Sequence, residues 1–214
     1  MYGGTFDPVH NGHIKVAHAL ISAFDFERLL FVPAFVPPHK RGREISSAYH
    51  RVAMLALATV DEQQILVSTI ELETPTRPYT VETLARLESL EERSQLFFVM
   101  GADSFLDIAS WREHETLLSS YSIVVAMRPG YDEHDPASHL NEEIRARVVD
   151  LRGRKFPQKD VLNAPHVFLT DYVAADISAT RVRELMAVGG DTTDYVPASV
   201  AKYAAKHKLY DDQA

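Results

Sequence analysis

Gly3-Gly4-Thr5-Phe6-Asp7-Pro8-Val9-His10-Asn11-Gly12-His13 runs directly into a stretch over 12–24 whose apolar residues recur three or four apart. The two glycines let backbone approach a ligand closely, and Asp7-Pro8 sets a turn. Gly12 and His13 fall where the free N–H groups of a starting helix point outward, and such a terminus favours anions. His10 and His13, three residues apart across that junction, can aim two imidazole donors at one phosphate group. A glycine turn that merely joins a strand to a helix, with capping or packed histidines, explains any one of these residues but not the set. Zinc ligation by the two histidines ranks lower, because no third ligand lies nearby. The spacing is neither that of a Walker loop, which needs Gly-Lys-Ser/Thr, nor that of a three-glycine dinucleotide fingerprint.

Outward from this loop the chain alternates. Short β-rich apolar runs at 29–32, 65–70, 96–100, 123–127 and 167–169 read as buried strands. Helical patterns at 12–24, 48–60, 81–90, 113–119 and 142–151 separate them, and Val196-Pro197 opens a last helix over 198–207. Strand and helix in alternation predict an α/β fold with a doubly wound parallel sheet, whose ligands sit at the carboxyl ends of strands. A chain of 214 residues fits a single domain over 1–214, with room for a small helical lobe at about 130–165 between the loop-like stretches 130–139 and 152–160.

Composition narrows the function. There is no cysteine, hence no disulfide framework, thiolate metal site or thiol nucleophile, and a reducing cytoplasmic setting is compatible. A net charge of −8 argues against nucleic acid and anionic membrane as partners, since both require dense Lys and Arg. With so few basic residues any phosphate site is local, and no apolar run approaches the roughly 20 residues of a membrane span. A homodimer is compatible with these properties.

A second anion site is legible near the other end. Asp176-Ile177-Ser178-Ala179-Thr180-Arg181-Val182-Arg183 precedes a helical pattern over 184–188, with Ser178 as N-cap and Arg183 one turn inward. An ordinary capped helix with solvated arginines explains that segment taken alone. Phe31-Val32-Pro33-Ala34-Phe35-Val36-Pro37-Pro38-His39-Lys40 ends a strand in a proline-stiffened loop that presents Lys40. Pro78-Tyr79-Thr80-Val81-Glu82-Thr83-Leu84 opens a helix, and Met100-Gly101-Ala102-Asp103 follows a strand, with Trp111 shortly after. Glycine at a strand end permits close approach, an acid just beyond can bind ribose hydroxyls, and a lone Trp suits a flat aromatic ligand.

Together these stretches resemble the HxGH nucleotidyltransferase superfamily, and Gly-Gly-Thr-Phe-Asp-Pro-Val-His resembles its bacterial nicotinate-nucleotide adenylyltransferases. The resemblance runs from Gly3 to Leu209-Tyr210 and implies a Rossmann-like, HUP-type nucleotidyltransferase fold. It implies transfer of AMP from ATP to nicotinate mononucleotide in NAD biosynthesis, with Mg²⁺ carried chiefly on the ATP phosphates and no protein metal cage. By resemblance His10, His13, Lys40 and Arg183 take catalytic roles, and Gly3, Gly4, Thr5, Phe6, Gly12, Ser178 and Thr180 join them around ATP. Thr80, Gly101, Asp103 and Trp111 inherit the acceptor side, with Arg128-Pro129-Gly130 near the adenine or the acceptor. Ala179 stands where the family motif has a second serine, Pro78 where it usually has serine, and only Met1 and Tyr2 precede Gly3. The first central strand is therefore expected to be cut short, or the start to lie downstream of the true one. Rival acceptors are nicotinamide mononucleotide and phosphopantetheine, and the rival class is a non-catalytic nucleotide-binding sensor.

Overall fold

The computed structural model describes residues 1–35, 45–74, 78–91, 94–127, 135–153, 156–157, 162–173 and 177–211. Its strands are β1 (Tyr2–Gly4), β2 (Leu29–Pro33), β3 (Ile65–Val67), β4 (Phe97–Gly101), β5 (Ser122–Ala126), β6 (Val148–Asp150) and β7 (Val167–Thr170). Its helices are α1 (Asn11–Phe24), α2 (Ala48–Ala58), α3 (Thr80–Leu90), α4 (Ala102–Leu106), α5 (His114–Ser120), α6 (Glu142–Arg145), α7 (Ala179–Ala187) and α8 (Ala198–Lys206). All strand pairs are parallel, in the order β3-β2-β1-β4-β5-β7-β6. This is the doubly wound sheet that the alternation predicts.

The strands read as continuous apolar runs because both of their faces are covered. Phe31, Val99, Val124 and Phe168 bury themselves on one side with Leu20 and Phe24 of α1, Met54 of α2, Val182 of α7 and Val200 of α8. Their neighbours Val32, Met100, Val125 and Leu169 point the other way, into Leu84 and Leu87 of α3, Phe105 of α4, Leu117 of α5 and Ile144 of α6. β1 lies between β2 and β4, and the chain leaves it in opposite directions on its two sides: onward through β2 and β3 on one, through β4, β5 and β7 on the other. At such a reversal the loops after neighbouring strands separate and leave a crevice. The carboxyl ends of β1 and β4 and the starts of the helices after them, with His10 and His13 on one side and Gly101 and Asp103 on the other, border it.

β1 is three residues long, and the register it shares with its neighbours is Tyr2 to Phe31 on one side and Tyr2 to Val99 on the other. Met1 extends the ladder to β4: its amine donates to the Phe97 carbonyl at 2.7 Å, and its carbonyl accepts from the Val99 N–H at 2.8 Å. Burial pushes that amine down to about 5.

Two expected elements are corrected. The run at 65–70 is a strand only to Val67, because beyond it Ser68 and Thr69 offer the backbone local alternatives: the Ile70 N–H donates to Ser68 Oγ and the Leu72 N–H to the Thr69 carbonyl. The helical pattern at 142–151 splits into α6 and β6, where Val148 and Val149 lie alongside β7. β-branched residues beside an open strand edge outweigh a four-residue helical periodicity. Over its described residues, the stretch expected as an outer lobe thus adds a strand to the sheet and sends Leu140 and Ile144 into the core. Among the described residues no helix is long and apolar enough to cross a membrane.

Candidate active site

The loop after β1 is packed from beneath. Phe6 adopts φ +52°, a backbone conformation costing a bulky residue about 1–3 kcal/mol. Its ring is 2% exposed and lies edge-on to Tyr2, Phe31 and His13, burial worth about 1.5–3 kcal/mol, enough to offset that cost. A Cβ on Gly4 would stand 2.8 Å from the Phe6 ring and one on Gly3 2.7 Å from Phe98, so the double glycine is a packing requirement. The Asp7-Pro8 peptide is cis.

His10 caps α1, and its own N–H donates to Nδ1 of His13 at 3.2 Å. A ring whose Nδ1 accepts carries its proton on Nε2 when neutral, so His13 keeps a donor there. The two imidazoles stack at 3.7 Å between centroids, 25° apart in plane. A Cβ on Gly12 would lie 3.0 Å from His10 Nδ1, so this glycine makes room for the His10 imidazole, while Ile177 of the second motif stands at ordinary contact distance, 3.5 Å.

That second motif builds α7 as expected: Ser178 Oγ accepts from the Arg181 N–H at 3.2 Å. Arg183, 4% exposed, donates to the Asp7 carbonyl at 2.7 Å and to Thr180 Oγ1 at 2.9 Å. Its observed contacts therefore brace the histidine loop from α7. Two further braces come from residues the motifs did not include. Tyr210, 2% exposed, donates its hydroxyl to the Asp7 carboxylate at 2.9 Å, and burial followed by the Asp7 charge holds the phenol well above its ordinary range, keeping it a donor. Arg51, 1% exposed, donates to the carbonyls of Thr5 at 2.8 Å, Ala34 at 2.7 Å, Phe35 at 3.1 Å and Ser46 at 3.0 Å. Burial lowers its pKa, and the Asp7 charge is the foremost of the neighbours that oppose this. A sequence signal for Arg51 exists in hindsight: it falls on the buried stripe of α2 with Met54 and Leu55, where an apolar side chain is the ordinary occupant.

Across the crevice, Thr80 is the first residue of α3, and Glu82 takes the Tyr79 N–H at 2.9 Å as a helix-start bond. Gly101 ends β4 with open space around the Cβ it lacks, and Asp103 sits exposed in the first turn of α4. Trp111 is half-buried and tilted against Phe98 at 6.3 Å, while the Arg112 guanidinium lies 4.7 Å over the Tyr79 ring. That stack joins the start of α3 to the segment carrying Trp111. Lys40 and Arg128-Pro129-Gly130 lie outside the described residues.

Comparison with known proteins shows the family. The cytidylyltransferase-like family model matches residues 1–185. A probable nicotinate-nucleotide adenylyltransferase of Desulfatibacillum aliphaticivorans is 33% identical over 98% of this chain and 98% of its own. Another, of Symbiobacterium thermophilum, is 36% identical over 97% of this chain and 92% of its own. Among solved structures, Plasmodium falciparum nicotinic acid mononucleotide adenylyltransferase complexed with NaAD superposes with a TM-score of 0.72 at 20% identity, covering 98% of this chain and 95% of that one. The last likeness speaks for the fold, the first three for descent, and with them the chain belongs to the cytidylyltransferase-like family, among the relatives named nicotinate-nucleotide adenylyltransferases.

Proposed function

We propose that this protein transfers AMP from ATP to nicotinate mononucleotide, giving nicotinate adenine dinucleotide and pyrophosphate. The observation that carries the reading is His13 at the N-terminus of α1, its Nδ1 engaged by His10 N–H and its Nε2 therefore a donor. There the helix dipole, about half a positive charge, favours a phosphate chain. An oxygen of the acceptor's 5′-phosphate attacks the α-phosphorus of ATP in line, and the bond from that phosphorus to the bridging oxygen breaks as pyrophosphate leaves. No protein nucleophile takes part. His10 and His13 hold the phosphates and stabilise charge as it develops, Ser178 and Thr180 add hydroxyls at the start of α7, and Arg183 with Lys40 adds positive charge. Thr80, Gly101, Asp103 and Trp111 seat the acceptor. Holding two reactants in line is worth roughly 7–11 kcal/mol of barrier. Imidazole, hydroxyl and guanidinium suit phosphate rather than a hard cation, so Mg²⁺ enters as MgATP, bound through the phosphates and water. The reading places the protein in the cytoplasm, where ATP is supplied.

Pyrophosphate release is measured with ATP and Mg²⁺ and, in parallel, nicotinate mononucleotide, nicotinamide mononucleotide or phosphopantetheine. Rapid turnover with the first, falling about 10²–10³-fold in His13→Ala, is expected for loss of one donor aimed at developing charge. Preference for another acceptor overturns the pocket assignment, and silence from folded protein with all three overturns catalysis.

A further inference from the structure

Glu71 lies in the turn beyond β3, 8% exposed, and belongs to none of the motifs above. Its Oε2 accepts from the Phe35 N–H at 3.1 Å and its Oε1 from the Thr83 hydroxyl at 3.0 Å. The Phe35 carbonyl is held by Arg51 at 3.1 Å, so one residue is gripped through its N–H by an acid and through its carbonyl by a base. The helices concerned lie on opposite faces of the sheet: α3, which carries Thr83, packs with Leu84 and Leu87 on one, and α2, which carries Arg51, with Met54 and Leu55 on the other. The Glu71 carboxylate thus reaches past the ends of β2 and β3 and ties the two layers together at Phe35.

Burying an acid is unfavourable unless its oxygens are met. Burial pushes the Glu71 carboxyl up, and the Phe35 N–H, the Thr83 hydroxyl and the Arg51 charge oppose that push. An apolar side chain could fill the space without this cost. What the acid adds is direction, because its two hydrogen bonds fix where the start of α3 stands relative to the backbone after β2.

We propose that Glu71 is a positioning residue for the acceptor, a buried strut setting the N-terminus of α3 against Phe35 so that a pyridine mononucleotide at α3 meets ATP at α1. This rests on α3 being the acceptor's seat. Glu71 touches neither substrate and acts through Thr83 and Phe35.

The test uses the full chain with Glu71→Leu, Glu71→Gln and Thr83→Val, reading KM for ATP, KM for nicotinate mononucleotide and kcat separately, with thermal unfolding to confirm folded protein. Thr83→Val keeps the volume and cuts the α3 arm, together with the hydroxyl's longer bond to the Tyr79 carbonyl within α3. It is expected to raise KM for nicotinate mononucleotide about tenfold, the scale of one lost hydrogen bond, and to move KM for ATP less than about twofold. Glu71→Leu is expected to raise the acceptor KM at least as much. Glu71→Gln restores most of that loss, because its amide oxygen still accepts from Phe35 N–H while its amide nitrogen donates to Thr83 Oγ, whose hydroxyl turns to the Tyr79 carbonyl 3.3 Å away. Unchanged acceptor KM in Thr83→Val and Glu71→Leu, or Glu71→Gln as damaged as Glu71→Leu, overturns the proposal. Amide hydrogen exchange at Phe35 and at residues 79–83 supplies a readout independent of turnover, expected to quicken in Glu71→Leu and to recover in Glu71→Gln. Should the wild type turn over no acceptor, the catalytic reading falls by itself, and equal exchange in Glu71→Leu and wild type is then the result that overturns the strut.

Discussion

Replacing Tyr210 by Phe removes one oxygen atom and leaves the ring in place. In the native chain that oxygen donates at 2.9 Å to the carboxylate of Asp7, a residue 1% exposed, and sits 3.9 Å from Met54 Sδ. The substitution opens almost no cavity, so its cost is that of a buried carboxylate losing a donor, about 1.5–3 kcal/mol for a hydrogen bond to a charged group. For a domain of this size each kcal/mol moves the unfolding midpoint by roughly 2–4 °C, so a fall of about 3–12 °C is expected. Activity should suffer as well, since Asp7 stands three residues before His10 in the loop proposed to hold the phosphates, and KM for ATP should rise several-fold while KM for the acceptor stays put. Calorimetry and steady-state kinetics on the same preparation read both effects, with Tyr49→Phe, altered at a side chain 73% exposed, as the control that should change neither. A Tyr210→Phe midpoint within about 1 °C of wild type, together with unaltered kinetics, would show that Asp7 does not depend on this hydroxyl and refute the reasoning.

Gly12→Ala places a methyl group 3.0 Å from His10 Nδ1, and moving that imidazole should cost about tenfold in kcat/KM with little loss of midpoint, whereas unaltered kinetics would show that the ring yields freely. Arg51→Met strips a donor from the carbonyls of Thr5, Ala34, Phe35 and Ser46; breaking such a buried cluster costs about 3–5 kcal/mol, visible as a large drop in the urea midpoint. The Glu71 carboxyl is raised in the folded state above its ordinary 4.5, so its contribution to stability is present in full below pH 4.5 and is lost as pH rises through the raised value. Measured by denaturant titration between pH 4 and pH 7, wild type should therefore lose ground to Glu71→Gln as pH increases, and a difference independent of pH would contradict the raised carboxyl.

The parts of this molecule that were legible in the sequence are those whose meaning is local. The glycines and histidines of residues 3–13 declare a turn and a helix start within a dozen positions, and Ser178 announces its helix in the same way. The buried strands were legible because covering both faces of a sheet leaves unbroken apolar runs. What escaped was set by partners far along the chain. Arg51 takes its meaning from Thr5, 46 positions earlier, and Tyr210 from Asp7, 203 positions earlier. Glu71 looks like a polar residue ending a strand until Phe35 and Thr83 are seen on either side of it. β6 was misread because Val148 and Val149 become a strand only when β7 offers its edge.

The bond from Tyr210 to Asp7 also sets an order of events during synthesis. Residues 3–13 are synthesised well before Tyr210, one of their anchors, which lies about two hundred positions further along and beyond every described strand of the sheet. Contacts of such separation close late in folding, because the intervening chain must be ordered before they form. A growing chain can therefore assemble much of its sheet before the Asp7 carboxylate gains its Tyr210 donor, so the loop over residues 3–13 is fully braced only after the sheet is complete.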